Sequence, residues 1–231
     1  IQSESHLFGE VIVKHAFRKE YDSIRNALLS LDIPLRPVGA FTSNKRTNTP
    51  KRQYRKIGGK KLHAILPVDQ RTLNSEIKDL LRTDDWKPRP IAAGINQGEN
   101  RSSLAGDFVR NNVFVEVEFG NTASMFRDFF KFQVANRART GEAAILITAT
   151  DRLGRLFDSG ITTYESAKRQ VPYLAVGIQM PIWLIGIEPA DFAPIRKRYD
   201  ELKALCEKNS VQCHSYDLVI NNKAVEDSPE E

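Results

Sequence analysis

The fold is decided by one stretch, Asp107-Phe-Val-Arg-Asn-Asn-Val-Phe-Val-Glu-Val-Glu-Phe-Gly-Asn121, whose pattern predicts a β-hairpin. Residues 113–119 alternate between a wholly apolar face and a face that carries two glutamates, which is the periodicity of a strand. The two residues before them, Asn111 and Asn112, suit a two-residue turn because asparagine tolerates positive φ. We therefore predict that the strands on either side of this turn pair with each other, starting at Arg110 and Val113.

Three acids would then share one face of the hairpin. The predicted register places Asp107 directly opposite Glu116 and on the same side as Glu118. Like charges paired across two strands repel each other, because their Cβ atoms are only about 5 Å apart. A cation between them would offset this repulsion, and these residue types favour a divalent cation that prefers oxygen ligands, above all Mg²⁺. The alternative is an amphipathic hairpin whose acidic face is simply the solvated side of a sheet.

The composition is that of a folded protein with a full core, since 41% of the 231 residues are hydrophobic. We expect one domain over residues 1–225 and a disordered acidic tail over residues 226–231. No apolar run is long enough to span a bilayer, so we expect neither a membrane anchor nor a secretory signal, although the start at Ile1 is compatible with a missing leader. The two cysteines, Cys206 and Cys213, fit no zinc site and need no disulfide, which favours a reduced, cytoplasmic protein.

The positive charge is concentrated in one segment. The formal net charge is only +5, but residues 33–68 contain no acid. Their basic residues are Arg36, Lys45, Arg46, Lys51, Arg52, Arg55, Lys56, Lys60 and Lys61. Such a segment is suited to a polyphosphate backbone, so we predict that Lys45, Arg46, Arg52, Lys60 and Lys61 contact DNA. The alternative is a solvated loop that binds nothing.

Apolar spacing outlines the rest of the chain. It predicts helices over residues 17–31, 76–81, 122–137, 163–170 and 193–208, and buried strands over residues 143–148 and 181–187. Residues 86–90 and 94–98 are expected to be irregular. Strands that are apolar on both faces and are separated by helices indicate a mixed sheet between layers of helices, an α/β fold.

The order of these features resembles a known nuclease fold. An acid, a Glu-x-Glu pair, a helix and a buried strand follow one another as in the PD-(D/E)xK nucleases, except that Glu118 stands where most members carry lysine. With that departure and the Phe-Gly-Asn after it, residues 106–155 resemble the BamHI/BglII group of type II restriction endonucleases. The resemblance implies a restriction-endonuclease-like core, in which a mixed central sheet is flanked by helices, with the basic segment as an N-terminal loop or hairpin insertion.

The resemblance also implies a role for each acid. Asp107 and Glu116 would bind one or two Mg²⁺ ions, and Glu118 would orient or deprotonate the attacking water or complete the metal shell. These three are the predicted catalytic residues. Because Glu118 replaces a lysine, we expect less positive charge at the scissile phosphate and a heavier dependence on metal. Glu76 is a further candidate ligand, although a solvated acid is the favoured interpretation there.

Four residues are candidates for reading DNA sequence. By resemblance, Asn121 and Arg127 would reach base edges from the start of a helix, and Asp151 with Arg152 would read G·C pairs. Each has a structural alternative. Asn121 would simply cap the helix, Arg127 would form a surface salt bridge, and Asp151 and Arg152 would be an ordinary loop ion pair.

The sequence thus predicts a homodimeric, Mg²⁺-dependent endonuclease that cuts both strands of a short palindromic DNA site and leaves 5′-phosphate and 3′-hydroxyl ends. Dimerisation follows from a two-fold symmetric target and one site per chain, and the aromatic helix over residues 124–137 is the candidate interface. Two alternatives stay open. One is a structure-specific repair or recombination nuclease of the same fold, and the other is a non-catalytic DNA-binding protein.

Overall fold

The computed structural model describes residues 1–38, 65–90, 104–157, 161–174, 177, 179–208, 213 and 216, and the backbone alone of residues 54–57 and 60–63. These residues divide into two compact units. The first consists of residues 1–32, 71–154 and 160–188, and the second of residues 33–70, 155–159 and 189–231. The predicted acidic tail lies outside the described residues, and the prediction of a single domain stays a prediction.

A six-stranded mixed sheet forms the centre of the first unit. Its strands are β1 (Gln2–His6), β4 (Lys87–Pro88), β5 (Phe108–Arg110), β6 (Val113–Val117), β7 (Ala143–Ala149) and β8 (Ile182–Ile187), in the spatial order β1-β8-β7-β6-β5-β4. β6, β7 and β8 run parallel, while β1, β4 and β5 join them antiparallel. Every residue of β6, β7 and β8 is buried, which explains why these strands are apolar on both faces.

Helices cover both faces of this sheet. α1 (Gly9–Ala16) and α2 (Arg18–Leu29) are tied to one face, where Tyr21 stacks on Trp183 with ring centroids 4.9 Å apart. α4 (Thr122–Arg137) and α6 (Tyr164–Leu174) pack on the other face around a core that includes Phe114, Phe129 and Leu184. α3 (Gln70–Thr83) and the short α5 (Asp151–Gly154) complete the elements around the sheet. The predicted α/β class with a helix-flanked mixed sheet is confirmed.

The hairpin of β5 and β6 has the predicted turn and register. Asn111 and Asn112 adopt φ of 45° and 62°, as a tight two-residue turn requires, and Arg110 pairs with Val113. The turn is anchored to α2, because the buried Glu20 carboxylate accepts hydrogen bonds from Arg110 Nε at 2.9 Å and from Asn111 Nδ2 at 2.7 Å. This buried, paired carboxylate holds the turn of the hairpin against α2.

The second unit contains a hairpin and a helix. β2 (Tyr54–Ile57) and β3 (Lys60–His63) pair antiparallel, so part of the basic segment is a hairpin, one of the two predicted forms. α7 (Ala193–Lys208) has the predicted bounds, and Tyr199 from it contacts Tyr216 edge-on. Cys206 and Cys213 do not form a disulfide with each other.

The structure differs from the sequence analysis in three places. β1 and α1 were missed, because residues 1–16 carry few periodic apolar positions and depend on pairing with β8. α3 begins six residues before the predicted helix over residues 76–81, since Leu73, Ile77 and Leu81 form one buried stripe. Residues 87 and 88, predicted to be irregular, add a short edge strand next to the buried Trp86.

Within the part of the chain that is described, no helix is both long enough and apolar enough to cross a membrane.

Candidate active site

The β5–β6 hairpin brings its acids to one face, as its register requires. Phe108 pairs with Val115, so Asp107 stands one step further along, opposite Glu116. Glu116 is buried and Glu118 is partly buried, which contradicts the alternative of a merely solvated acidic face. Burying carboxylates is costly without partners, so the partners of each acid decide what the site can do.

Asp107 is held by two donors. Its Oδ1 accepts a hydrogen bond from Lys78 Nζ on α3 at 2.9 Å, and its Oδ2 accepts one from the Val117 backbone N–H at 3.0 Å. Both the carboxylate and the ammonium are about a quarter exposed. Asp107 is therefore oriented across the hairpin and reachable from solvent.

Glu116 is paired with a lysine from α4. Its Oε1 accepts a hydrogen bond from Lys131 Nζ at 3.1 Å, and the same ammonium donates to Asp128 Oδ1 at 2.8 Å. Burial raises the pKa of Glu116 to about 8, helped by the charges of Asp128 and Asp107 and opposed by Lys131. The pKa of Lys131 is raised as well, because Glu116 and Asp128 outweigh its desolvation.

Asp128, which binds Lys131, also lies next to Glu118. Burial, then the charge of Asp128 and a hydrogen bond with it, raise the pKa of Glu118 to about 7, against the opposing effects of the Gly120 N–H and Arg127. The Gly120 backbone N–H donates to Glu118 Oε1, and a Cβ at position 120 would come within 2.5 Å of that oxygen. Oδ2 of Asp128 is buried and has no other hydrogen-bond partner among the described residues, so a protonated Glu118 is the donor that suits it.

The donor set suits a divalent cation, but the structure does not show a preassembled metal site. Four carboxylates (Asp107, Glu116, Glu118 and Asp128) face two ammonium groups (Lys78 and Lys131), which leaves two negative charges when all are ionised. Their oxygens are hard ligands of the kind that Mg²⁺ prefers. Among the described residues, however, no three Asp, Glu, His or Cys side chains are arranged to hold an ion. The sequence analysis predicts a divalent cation between the acids. In this structure, the cations that contact the acids are the ammonium groups of Lys78 and Lys131.

The first two candidates for DNA contact lie at the start of α4. Asn121 is the N-cap, and its Oδ1 accepts a hydrogen bond from the Ser124 backbone N–H at 3.1 Å, so the capping alternative describes its contact here. Arg127 is exposed, and its charge lowers the pKa of Glu118, which places it near the acids. Both residues remain accessible at the edge of the site.

Asp151 and Arg152 follow β7 at the same edge of the sheet, because β6 and β7 are parallel. Asp151 accepts a hydrogen bond from the Thr163 hydroxyl, and Arg152 donates to Glu188 Oε1 at 3.0 Å. Residues 161–163, which precede α6, contact the chain both at the start of α4 and at the end of β7. Ile161 forms a β-bridge with Asn121, and Thr163 forms one with Ala149.

Comparison with known proteins decides the family. The profile of the family described as restriction endonuclease BglII/BglIII matches residues 1–187. The chain belongs to this family. It is accordingly a DNA endonuclease, a type II restriction endonuclease of the BglII/BglIII kind, as the resemblance in the sequence predicted.

Solved structures show the same fold. A crystal structure of restriction endonuclease BglII complexed with a DNA 16-mer superposes with a TM-score of 0.59 at 19% identity, and covers 83% of this chain and 79% of that chain. A crystal structure of free BglII superposes with a TM-score of 0.53, also at 19% identity, and covers 83% of this chain and 80% of that one. A search of curated proteins gives no match. The two non-restriction alternatives, a repair nuclease and a non-catalytic DNA-binding protein, are not supported by these comparisons.

The five basic residues predicted to contact DNA belong to the basic segment over residues 33–68. Lys45, Arg46 and Arg52 lie outside the described residues, and of Lys60 and Lys61 only the backbone is described, as part of β3. Glu76 lies on α3 and lines a cleft of about 420 Å³ together with Asp32, Asp79 and their neighbours. The favoured interpretation of Glu76, a solvated acid, stays a prediction.

The sequence analysis missed three residues that this endonuclease brings to its acids: Lys78, Asp128 and Lys131. For two of them a signal was present. Asp128 and Lys131 are three residues apart on the stripe of α4 that also buries Met125, Phe129 and Phe132. Charged residues on a buried stripe need partners, and that rule alone would have identified them. Lys78 carries no such signal, because it is one of several charges on α3.

Proposed function

We propose that this restriction endonuclease hydrolyses phosphodiester bonds on both strands of a short palindromic site in duplex DNA, leaving 5′-phosphate and 3′-hydroxyl ends. The observation that carries the proposal is the cluster of Asp107, Glu116 and Glu118 on one face of the β5–β6 hairpin, buried against α4 and open at Asp107. A buried excess of negative charge is costly, and a site that binds a divalent cation explains why it is kept.

The proposed cofactor is Mg²⁺, one or two ions for each active site. Restriction endonucleases of this type generally use divalent metal ions. Asp107 and Glu116 would hold the ion, with Asp107 the more accessible of the two. When bound, the metal would neutralise charge on the phosphoryl oxygens and lower the pKa of a bound water.

Glu118 is the proposed general base. A base works best when its pKa lies near the working pH, and the pKa of Glu118 is raised to about 7 by burial and by Asp128. Its carboxylate is oriented by the Gly120 N–H, so it can accept a proton from water without first reorganising. The structure also supports a role in completing the metal shell, because Glu118 is on the same strand face as Glu116.

Duplex DNA is the proposed partner, in keeping with the DNA 16-mer in the BglII complex. Asn121 and Arg127 at the start of α4, with Asp151 and Arg152 after β7, offer side chains at one edge of the sheet. To read a base, Arg152 must first release its ion pair with Glu188. The Arg152 side chain is about half exposed in that pair. Lys45, Arg46, Arg52, Lys60 and Lys61 are proposed to contact the phosphate backbone.

A homodimer is the proposed assembly, with α4 as its interface. Of the aromatic residues predicted for this surface, Phe129 and Phe132 are core residues, so that part of the prediction changes. Phe126 and Phe130 are 43% and 56% exposed and are one helical turn apart. Two neighbouring exposed phenylalanines form an apolar surface that a second copy of the chain would cover.

The active-site assignment is tested with Glu116→Gln. The amide still offers an oxygen to Lys131 but removes the metal-binding charge, so we expect plasmid cleavage in Mg²⁺ to fall roughly 1,000-fold while DNA binding in Ca²⁺ persists. The matched control is Glu142→Gln, an exposed glutamate just before β7 that accepts a hydrogen bond from the turn residue Asn112, and this variant should cut like the wild type.

The digestion products separate the proposed function from its rivals. Discrete plasmid fragments with mapped, fixed ends are expected from the wild type in Mg²⁺ and none in EDTA. If the Glu116→Gln variant cut plasmid DNA as fast as the wild type does, the assigned active site would be rejected. Preferential nicking of branched DNA without discrete fragments would favour a repair nuclease.

A further inference from the structure

Lys131 is a buried cation held from two sides. Its side chain comes from the middle of α4 and reaches Glu116 on β6 at 3.1 Å and Asp128 on its own helix at 2.8 Å. The three residues are only 5%, 3% and 1% exposed for Lys131, Glu116 and Asp128. A lysine is almost never buried to this extent unless its charge is fully used.

The arrangement fixes both the lysine and the glutamate. Asp128 precedes Lys131 by three residues, so the helix itself sets the separation of ammonium and carboxylate. Only one Glu116 oxygen, Oε1, accepts from Lys131 in the described contacts. Gly106 packs against the same oxygen, since a Cβ there would come within 3.1 Å of it. Glu116 is thus held in one orientation by a charge that cannot move away easily.

Strand β6 offers no positive charge of its own. The face that carries Glu116 ends at Glu118, the position at which a lysine was expected from the PD-(D/E)xK pattern and is missing. Without Lys131, the charges of Glu116, Glu118 and Asp128, next to Asp107, would be offset only in part, by Lys78 and Arg127. Part of the positive charge that the strand lacks therefore comes from α4.

We propose that Lys131 is a positioning residue of the active site, whose ammonium, anchored by Asp128, holds Glu116 in place and supplies from α4 the positive charge that β6 lacks. This inference rests on the proposed function, because it takes Glu116 as a ligand of a divalent cation. It gives Lys131 two effects. The ammonium keeps the acids together before metal binds, and it limits how strongly the acids attract a divalent cation.

The two effects make opposite predictions for two variants. Lys131→Met keeps the length of the side chain and removes its charge, so the metal-free acids repel one another and a divalent cation is attracted more strongly. Asp128→Asn keeps an oxygen for Lys131 and removes a negative charge, so a divalent cation is attracted less strongly. If Lys131 and Asp128 only packed the helix against the sheet, neither variant would change the response to metal.

The experiment is thermal unfolding of the full chain in EDTA and in Mg²⁺, with plasmid cleavage measured alongside. In EDTA, Lys131→Met should unfold roughly 10 °C below the wild type. Its increase in Tm on adding Mg²⁺ should be at least about twice that of the wild type, and that of Asp128→Asn should be about half or less. Cleavage by Lys131→Met should fall at least about tenfold even at saturating Mg²⁺, because Glu116 is no longer held. Lys19→Met, which removes an exposed cation from α2, is the control and should behave as the wild type.

The outcomes separate this inference from the function on which it rests. A wild type that cuts DNA and gains stability in Mg²⁺, with equal gains in both variants, would overturn the role of Lys131 and leave the nuclease site standing. A wild type with neither cleavage nor a gain in Mg²⁺ would overturn both. Should Lys131→Met fail to fold, the comparison of Asp128→Asn with the wild type decides, since an unchanged gain in Mg²⁺ there rejects the proposal.

Discussion

Glu118 shows how its surroundings give one residue its chemistry. An ordinary glutamate is ionised at neutral pH, but here burial and the adjacent Asp128 raise the pKa of Glu118 to about 7. The same effect has a cost, because an ionised Glu118 is less stable in the folded protein than in the unfolded chain. Ionisable groups with strongly shifted pKa values are common in active sites, where they serve function but lower the stability of the fold.

The first prediction concerns the pH dependence of stability. Between the ordinary pKa of 4.5 and the raised value of about 7, the folded protein binds more protons at Glu118 than the unfolded chain does. Its stability therefore falls as the pH rises through this window. Glu118→Gln mimics the protonated form, so in EDTA it should be more stable than the wild type at pH 8, by on the order of 1 kcal/mol or about 3 °C.

The comparison between two pH values makes this prediction specific. Near pH 5, Glu118 is protonated in the folded wild type, and most of the difference in Tm between the two proteins should vanish. Thermal melts at both pH values measure it. A stabilisation of the same size at pH 5 and pH 8 would contradict the raised pKa and would indicate an effect of packing alone.

At the scale of the element, the helices and strands differ in how much of their support is local. The β5–β6 hairpin carries its own turn residues and has the predicted turn and register, although β6 ends at Val117 and not at Phe119. α4 carries its own N-cap, Asn121, and has the predicted bounds. α1 has no side-chain cap, and its first residue, Gly9, lies directly against β8. The position of α1 is set by its contact with the sheet, and no pattern in the sequence of the helix itself predicts that contact.

The second prediction tests this close approach. A Cβ at position 9 would come within 2.2 Å of the Ile182 backbone, which cannot move without disturbing β8. Gly9→Ala should therefore lower the free energy of unfolding by at least about 2 kcal/mol, although alanine is the better helix former. Urea unfolding measures the difference. Val11→Ala, at an exposed position of the same helix, should stay within about 0.5 kcal/mol of the wild type, and an equal loss in both variants would argue against a backbone clash.

At the scale of the whole molecule, the proposed cleavage of both DNA strands calls for two active sites, one from each of two chains. The described surface of α4 keeps Phe126 and Phe130 outside the core, while α2 exposes a single apolar residue, Leu29, near its end. Exposed aromatic pairs are enriched at interfaces, where their contact area is large. This difference between the helices is why the proposed dimer is assigned to α4.

The third prediction follows from that assignment. Phe130→Glu places a charge in the proposed interface without touching the core, so the protein should stay folded but become monomeric by light scattering. A monomer that cuts one strand at a time should nick plasmid DNA and give little linear product. Leu29→Glu is the control and should remain dimeric. A monomeric wild type, or a dimeric Phe130→Glu, would remove α4 as the interface.

The sequence by itself determined what is local or periodic. The two asparagines of the turn, the alternation of residues 113–119 and the apolar runs of β7 and β8 need no distant partner to be recognised, and they led to the sheet, to the hairpin register and to the three acids. Only the tertiary structure decided which charges meet those acids. Lys78 and Lys131 come from helices far away in the chain, and side-chain charges interact through space, so their partners follow from packing and not from spacing along the sequence.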